Sequence, residues 1–274
     1  KAVWGKFYGQ MLAGGTVFVY DYEGHFSPAN LLKVLQDYHV TSFCAPPTIY
    51  RFLIREDISA YNLSALEWCT TAGEALNPSV FDEWKKKTGI TIYESYGQTE
   101  TTLVVGTYPW VKPKPGSMGV RSPQFDIDVV DEHGNRVKPM EHGELVIRVG
   151  DRKPLGLFKC YYRNDEMTEK RIQNGLYFTG DIVYYDEEKY LWYVSRADDV
   201  IKTSGYRVGP FEVESALMSH PAVVECAITA VPDDIRGQII KASIVLAEEY
   251  RAKAGDTLKK ELQDHVKRET APYK

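Results

Sequence analysis

The chain has few cysteines, no long apolar run and no excess of positive charge, and each absence closes off a class of function. Its four cysteines, Cys44, Cys69, Cys160 and Cys226, stand far apart with no C-x-x-C pair. Neither a zinc site nor a disulfide framework is expected, and reduced thiols point to a cytoplasmic compartment. No run of about 18 apolar residues is present to cross a bilayer as a helix. Lys1-Ala2-Val3-Trp4-Gly5-Lys6 also lacks the charge-then-apolar layout of a secretory signal, so no integral membrane contact is expected. With Lys+Arg 33 against Asp+Glu 38, the formal net charge of -5 argues against a nucleic-acid partner. Anionic ligands must then be held by local groups. No G-x-G-x-x-G follows an early strand, which argues against a nicotinamide-dependent enzyme. His133 and His142 sit singly beside glycines and read as solvent-facing turn residues rather than metal ligands.

What the chain does contain is the makeup of a globular protein. At 274 residues, 43% hydrophobic and 26% charged, it has length for one large domain or two unequal ones. Gly14-Gly15 before Thr16-Val17-Phe18-Val19-Tyr20 predicts a buried strand. Ser27-Pro28 supplies an N-cap and a first-turn proline for a helix over 29–36, and Thr41-Ser42-Phe43-Cys44-Ala45 predicts a second strand. Pro46-Pro47 then leads into a helical stretch over 48–53. Leu66-Glu67-Trp68-Cys69-Thr70-Thr71 predicts another strand and 79–87 an amphipathic helix. This alternation implies an α/β fold, a parallel sheet with flanking helices.

After the breaker-rich Lys112-Pro113-Lys114-Pro115-Gly116 the period changes. Phe125-Asp126-Ile127-Asp128-Val129-Val130 and Gly143-Glu144-Leu145-Val146-Ile147-Arg148-Val149 alternate, and 182–185 can pair with 190–194 across Asp186-Glu187-Glu188-Lys189. A small β-barrel or antiparallel sheet is expected there. Residues 210–218 and 258–268 read as helices, and 223–230 and 239–247 as strands, giving a small α+β C-terminal domain. The expected divisions are 1–110, 111–197 and 198–274.

Ile90-Thr91-Ile92 predicts a strand, so the polar stretch Tyr93-Glu94-Ser95-Tyr96-Gly97-Gln98-Thr99-Glu100-Thr101-Thr102 falls at a strand's carboxyl end, where open α/β sheets bind ligands. Gly97 would let the backbone approach a ligand closely. Thr99 offers a hydroxyl to a phosphate, and Glu100 is an oxygen ligand of the kind Mg²⁺ accepts. The plain alternative is a strand followed by a polar loop, and this stretch alone leaves both open.

Tyr96-Gly97-Gln98-Thr99-Glu100-Thr101 resembles the central signature of the adenylate-forming acyl-CoA synthetase and ligase superfamily. Three further motifs follow the family's order: Ala72-Gly73-Glu74, Thr179-Gly180-Asp181, and Ser195-Arg196-Ala197-Asp198-Asp199-Val200-Ile201-Lys202-Thr203-Ser204-Gly205-Tyr206-Arg207. Glu94-Ser95-Tyr96-Gly97 and Thr270-Ala271-Pro272-Tyr273-Lys274 resemble the medium-chain branch, and the resemblance covers essentially the whole chain.

The resemblance implies an ATP-dependent ligase that joins a small carboxylic acid to coenzyme A through an acyl-adenylate, with Mg²⁺ assisting. The acid would be medium-chain, branched or aromatic. Nucleotide contacts fall on Gly73, Glu74, Ala75, Glu94, Ser95, Tyr96, Gly97 and Thr99, and on Asp181 and Arg196 at the ribose or phosphates. Thr99, Glu100 and Arg207 would be catalytic, with Glu100 holding the metal. Asp198 matches the hinge before a C-terminal lid, Lys202, Ser204 and Gly205 the coenzyme A tunnel, and Ala45 and Gly97 the acyl pocket. There a glycine would leave volume that a bulky Trp would close.

Two family parts have no counterpart here. Nothing resembles the Ser/Thr-Gly-rich phosphate loop, and the chain stops before the Pro-x-x-Gly-Lys segment, so Lys274 does not match the family's catalytic lysine. The expectation is a piece of a longer protein, inactive by itself. A non-catalytic nucleotide- or acyl-binding module of the same fold is the alternative. No pattern speaks to oligomeric state.

Overall fold

The computed structural model describes residues 8–21, 24–150 and 152–271. The first elements are α1 (Gly9–Leu12), α2 (Pro28–Asp37), β1 (Ser42–Cys44), α3 (Pro47–Leu53), β2 (Trp68–Ala72), α4 (Pro78–Thr88) and β3 (Ile92–Gly97). Local chemistry sets their ends. Ser27 accepts from the Asn30 amide at 3.3 Å to cap α2, and Asn77 accepts from Ser79 at 2.9 Å to cap α4, each with proline at the first helical turn. Gly89, left-handed at φ 75, closes α4. The apolar faces of these helices meet the sheet in a core containing Leu32, Leu53, Cys69, Val80, Trp84 and Ile92. Trp84 packs edge-on to Tyr50 with ring centroids 5.1 Å apart.

β4 (Leu103–Gly106) and β5 (Val120–Arg121) complete a five-stranded sheet in the order β1-β2-β3-β4-β5. β1, β2 and β3 run parallel, as the strand-helix alternation predicts, while β4 and β5 add in antiparallel sense, so the sheet is mixed. Two expectations are corrected here. Residues 16–20 form no strand, and Phe18, Val19 and Tyr20 are exposed; β-branched and aromatic content needs a neighbouring strand, and none pairs with them among the described residues. The strand expected at 90–92 begins at Ile92 and runs on to Gly97, so the first half of the polar signature is strand rather than loop.

A second sheet has the order β10-β9-β7-β6, built from β6 (Ile127–Val130), β7 (Gly143–Arg148), β9 (Leu176–Tyr185) and β10 (Leu191–Arg196), with β8 (Ile172–Gln173) paired to β9. β6 is buried on both faces, and there the alternation read from sequence fails: Asp128 is buried and its carboxylate takes Arg148 at 2.7 Å. α5 (Asp165–Arg171) precedes β8, capped by Asn164. The third sheet, β12-β11-β14-β13, comprises β11 (Ile201–Thr203), β12 (Tyr206–Val208), β13 (Val223–Asp233) and β14 (Gly237–Leu246), all antiparallel. α6 (Pro210–Met218) and α8 (Asp256–Glu269) cover it through Val213, Leu217, Leu258 and Leu262, with the short α7 (Glu248–Arg251) between. This is the expected small α+β domain.

The chain divides into two compact units. One takes in Lys1–Asp128, Val146–Thr179 and Asp186–Trp192; the other takes in Val129–Leu145, Gly180–Tyr185 and Tyr193–Lys274. Pro272, Tyr273 and Lys274, part of the medium-chain resemblance, lie outside the described residues, as do Lys1 to Lys6.

Candidate active site

In the first unit, β2 and β3 bring the upstream loop against the signature strand. Thr71 is opposite Glu94 and Ala72 opposite Ser95 in parallel register. Gly73 follows at φ 101, a conformation that L side chains rarely adopt, and turns the chain away from the sheet. Glu74 accepts from Thr48 Oγ1 at 2.7 Å and lies 3.9 Å from Arg51. Ala75 is half-buried, and the Leu76 amide donates to Glu94 Oε1 at 3.2 Å. The same β2 edge holds Ala45, whose amide donates to Thr70 O at 3.2 Å and whose carbonyl accepts from Thr71 Oγ1 at 2.8 Å. Gly73, Glu74, Ala75, Glu94 and Ser95 therefore share one neighbourhood.

Glu94 is the electrostatic exception among them. It is 5% exposed, with the Leu76 amide as its donor, and burial pushes its carboxyl from 4.5 up to about 8. Over most of the neutral range this side chain is a neutral acid. A glutamate inside a motif gives no sequence sign of that.

The chain leaves β3 in a tight turn. The Gln98 amide donates to Thr101 Oγ1 at 2.9 Å, and the Thr101 amide donates back to Gln98 O at 3.2 Å. Gln98 reaches outward in both directions: Nε2 donates to Thr179 O at 2.8 Å, and Oε1 accepts from Tyr177 Oη at 2.7 Å. Thr99 is exposed, and Glu100 is half-buried with Oε1 accepting from Tyr161 Oη at 2.8 Å. Backbone bonds seat the turn on a second segment: Phe158 N donates to Glu100 O at 2.6 Å and Thr102 N to Gly156 O at 2.9 Å. Thr99 and Glu100 thus sit together at the tip, as the motif predicts. Tyr161, Tyr177 and Gln98 were not singled out from sequence; the aromatic-rich run around Phe158 and Tyr161 was the available signal.

At Gly97 the backbone is closely approached. β3 and β4 shift register between Tyr96 and Gly97, and an added Cβ would stand 2.3 Å from Thr102 O. Backbone therefore lies where the Cβ of any other residue would stand. Tyr50, on α3 beyond Ala45, is fully buried with its hydroxyl donating to Thr70 O at 3.1 Å.

The second unit carries the remaining candidates. Asp181 is 5% exposed, and its carboxylate takes Arg196 at 3.2 Å; the same guanidinium reaches the exposed Asp198 at 3.4 Å. The Ala197 amide donates to Gly180 O at 2.8 Å, and the Gly180 amide donates to Glu144 Oε1 at 2.7 Å. Burial, and then the Asp181 charge, push the neighbouring Tyr193 phenol upward. Lys202, Ser204, Gly205 and Arg207 lie on the β11–β12 hairpin, whose turn residues Ser204 and Gly205 both have positive φ, 50 and 83. All four are exposed, and Arg207 pairs with Glu132 at 3.2 Å.

Comparison with known proteins places the chain. The AMP-binding enzyme family matches residues 2–162, and the AMP-binding enzyme C-terminal domain matches residues 212–274. Over all of its 274 residues the chain is 45% identical to acyl-coenzyme A synthetase ACSM3, mitochondrial, of Mus musculus, and covers 47% of that protein. It is likewise 45% identical to ACSM4, mitochondrial, of Rattus norvegicus, again covering 47%. The chain thus spans about half the length of the curated relatives it matches. Among solved structures, the anthranilate CoA ligase AuaEII with anthranoyl-AMP superposes at TM-score 0.82 with 32% identity, over 90% of this chain and 47% of that one. A benzoate CoA ligase from Burkholderia xenovorans LB400 superposes at 0.83 with 26% identity, over 97% and 52%.

One expectation is overturned by these relatives, which are named mitochondrial rather than cytoplasmic. Cysteine usage separates oxidising from reducing compartments but does not separate two reducing ones, and an organelle address resides in a targeting segment rather than in bulk composition. The family match spans more than half of the chain, and the chain belongs to the AMP-binding enzyme family.

Proposed function

We propose that the full-length protein is an AMP-forming acyl-CoA ligase acting on a medium-chain, branched or aromatic carboxylic acid. The observation that carries this reading is the signature turn, which holds a half-buried Glu100 carboxylate by one oxygen at the end of β3. The substrate acid attacks the α-phosphorus of ATP, forming an acyl-adenylate as pyrophosphate leaves. The coenzyme A thiolate then attacks the activated carbonyl and expels AMP. Such chemistry depends mainly on positioning and on compensation of phosphate charge.

The proposed division of labour keeps the residues where the motifs put them. Gly73, Glu74 and Ala75, with Glu94, Ser95, Tyr96 and Gly97, form the adenine side, where a flat ring can lie against backbone and Tyr96. Asp181 receives ribose hydroxyls, and Arg196 contributes charge at ribose or phosphate. Thr99 offers its hydroxyl to a phosphate. Asp198 is the hinge at the start of the 198–274 lid, with 1–110 and 111–197 as the parts of the larger domain. Lys202, Ser204 and Gly205 line the pantetheine path, and Arg207 acts on phosphate. Ala45 remains at the acyl wall; the choice of acid rests on likeness to the aromatic CoA ligases, not on empty volume at Gly97.

Magnesium fits Glu100. No group of three or more His, Cys, Asp or Glu residues is placed to hold a metal ion among the described residues, and Mg²⁺ with a nucleotide is commonly held by one or two carboxylates plus phosphates and waters. When bound there it would neutralise phosphate charge as pyrophosphate departs.

Glu100→Gln in the full-length protein should lower ATP–pyrophosphate exchange by about 100-fold or more while circular dichroism is unchanged, because a neutral amide cannot replace the carboxylate charge. Wild-type exchange in the variant removes Glu100 from the mechanism. Wild-type protein that binds ATP but exchanges no pyrophosphate with any acid is instead a binding module.

A further inference from the structure

A carboxylate that is to receive a divalent cation must be fixed in place without losing its charge. A Lys or Arg partner would fix it and neutralise it together. Glu100 is held by a phenol instead. Tyr161 Oη donates to Oε1 at 2.8 Å, and Oε2 takes no hydrogen bond among the described residues. A neutral donor orients the group and leaves the full negative charge in place.

Tyr161 is itself seated for this task. Its amide donates to Thr168 Oγ1 at 3.0 Å, and its ring packs on Phe158 with centroids 4.8 Å apart. Phe158 in turn donates its amide to Glu100 O, and Leu157 forms an isolated antiparallel bridge with Thr101. The segment 156–161 therefore grips the signature turn through the backbone on one side of Glu100 and through a side chain at its tip.

We infer that Tyr161 is a positioning residue: its phenol fixes one oxygen of Glu100 so that the other stays available, with undiminished charge, to the divalent cation that accompanies a nucleoside triphosphate. The inference rests on the reading of Glu100 as the metal-side carboxylate. Outer-shell partners of metal ligands commonly contribute 10–100-fold to metal affinity.

The test is a double-mutant cycle on the full-length protein with Tyr161→Phe, which keeps the ring on Phe158, and Glu100→Gln. Calorimetric Kd values for ATP are measured with saturating Mg²⁺ and with EDTA, alongside thermal midpoints. Tyr161→Phe is expected to weaken binding of Mg·ATP about tenfold, to leave metal-free ATP binding unchanged, and to add no further loss in the Glu100→Gln background. The inference is overturned if Tyr161→Phe binds Mg·ATP like wild type, weakens ATP equally with and without metal, or adds its full loss to that of Glu100→Gln. Wild-type Mg·ATP affinity in Glu100→Gln alone brings down the reading of Glu100 first, and is recognised without reference to Tyr161.

Discussion

At Gly97 an added Cβ would stand 2.3 Å from the Thr102 carbonyl oxygen, whereas at Gly205 it would meet nothing within 4 Å. Both glycines sit in motifs shared with the family, and both border turns. The first is required by space, because β3 gains a register shift and backbone crosses directly over the residue. The second is required by dihedral angle, because φ 83 at the tip of the β11–β12 hairpin disfavours any side chain. The surroundings differ in the same sense. The Gly97 turn is tied by Gln98 to Tyr177 and Thr179 and by Glu100 to Tyr161, while Ser204 and Gly205 are exposed and their turn is held by one backbone bond, from the Ser204 amide to Arg236 O at 3.0 Å. A shared residue type in a motif therefore does not identify a shared physical cause.

The largest expected effect follows from the tighter turn. Gly97→Ala should destabilise the full-length protein by about 3 kcal/mol, since the obstructing atom is backbone and cannot swing away as a side chain would. Urea denaturation measures it. A loss below about 1 kcal/mol would mean that the signature turn yields as easily as the hairpin, and the contrast between the two glycines would disappear.

Glu94, three residues earlier on the same strand, sharpens the packed side of the comparison. Its folded-state pKa is raised from 4.5 to about 8, so the folded protein retains a proton that the unfolded chain releases. Stability must then fall as pH rises from about 5 to about 8, with the destabilisation fully developed above that range. Glu94→Gln keeps an oxygen acceptor for the Leu76 amide and removes the ionisation. The variant should gain on wild type by on the order of 4 kcal/mol between pH 5 and 8.5. Denaturation curves whose difference stays constant across that range would show that Glu94 is solvated and that β3 is less closed than its packing indicates.

The smallest effect belongs to the hairpin. Gly205→Ala should cost about 1 kcal/mol through the left-handed backbone alone, and Gly205→Asn appreciably less, because Asn tolerates that region. Thermal midpoints of the two variants decide it. Equal losses for Ala and Asn would point to a steric cause and make Gly205 resemble Gly97 after all.

Most elements were legible one at a time. Ser27 and Asn77 with the prolines that follow them announce α2 and α4, and the apolar spacing of Val80, Phe81 and Trp84 gives the buried face of α4. Such signals act within a few residues, where capping and periodicity are local physics. The strand expected at 16–20 failed because pairing is not local, and the alternation expected in β6 failed because both of its faces are covered.

The site divides along the same line. Order and spacing of the motifs were enough to put Thr99 and Glu100 at one turn, because a turn needs only neighbouring residues to form. The Tyr161 donor, 61 positions from Glu100, and the Tyr177 donor, 79 positions from Gln98, were not visible in advance. Nor were the neutral acid at Glu94 or the carbonyl over Gly97. Each depends on which distant backbone and side chains the folded chain brings within about 3 Å and shields from water, and hydrogen-bond reach and desolvation are properties of that assembled surrounding rather than of the residue types.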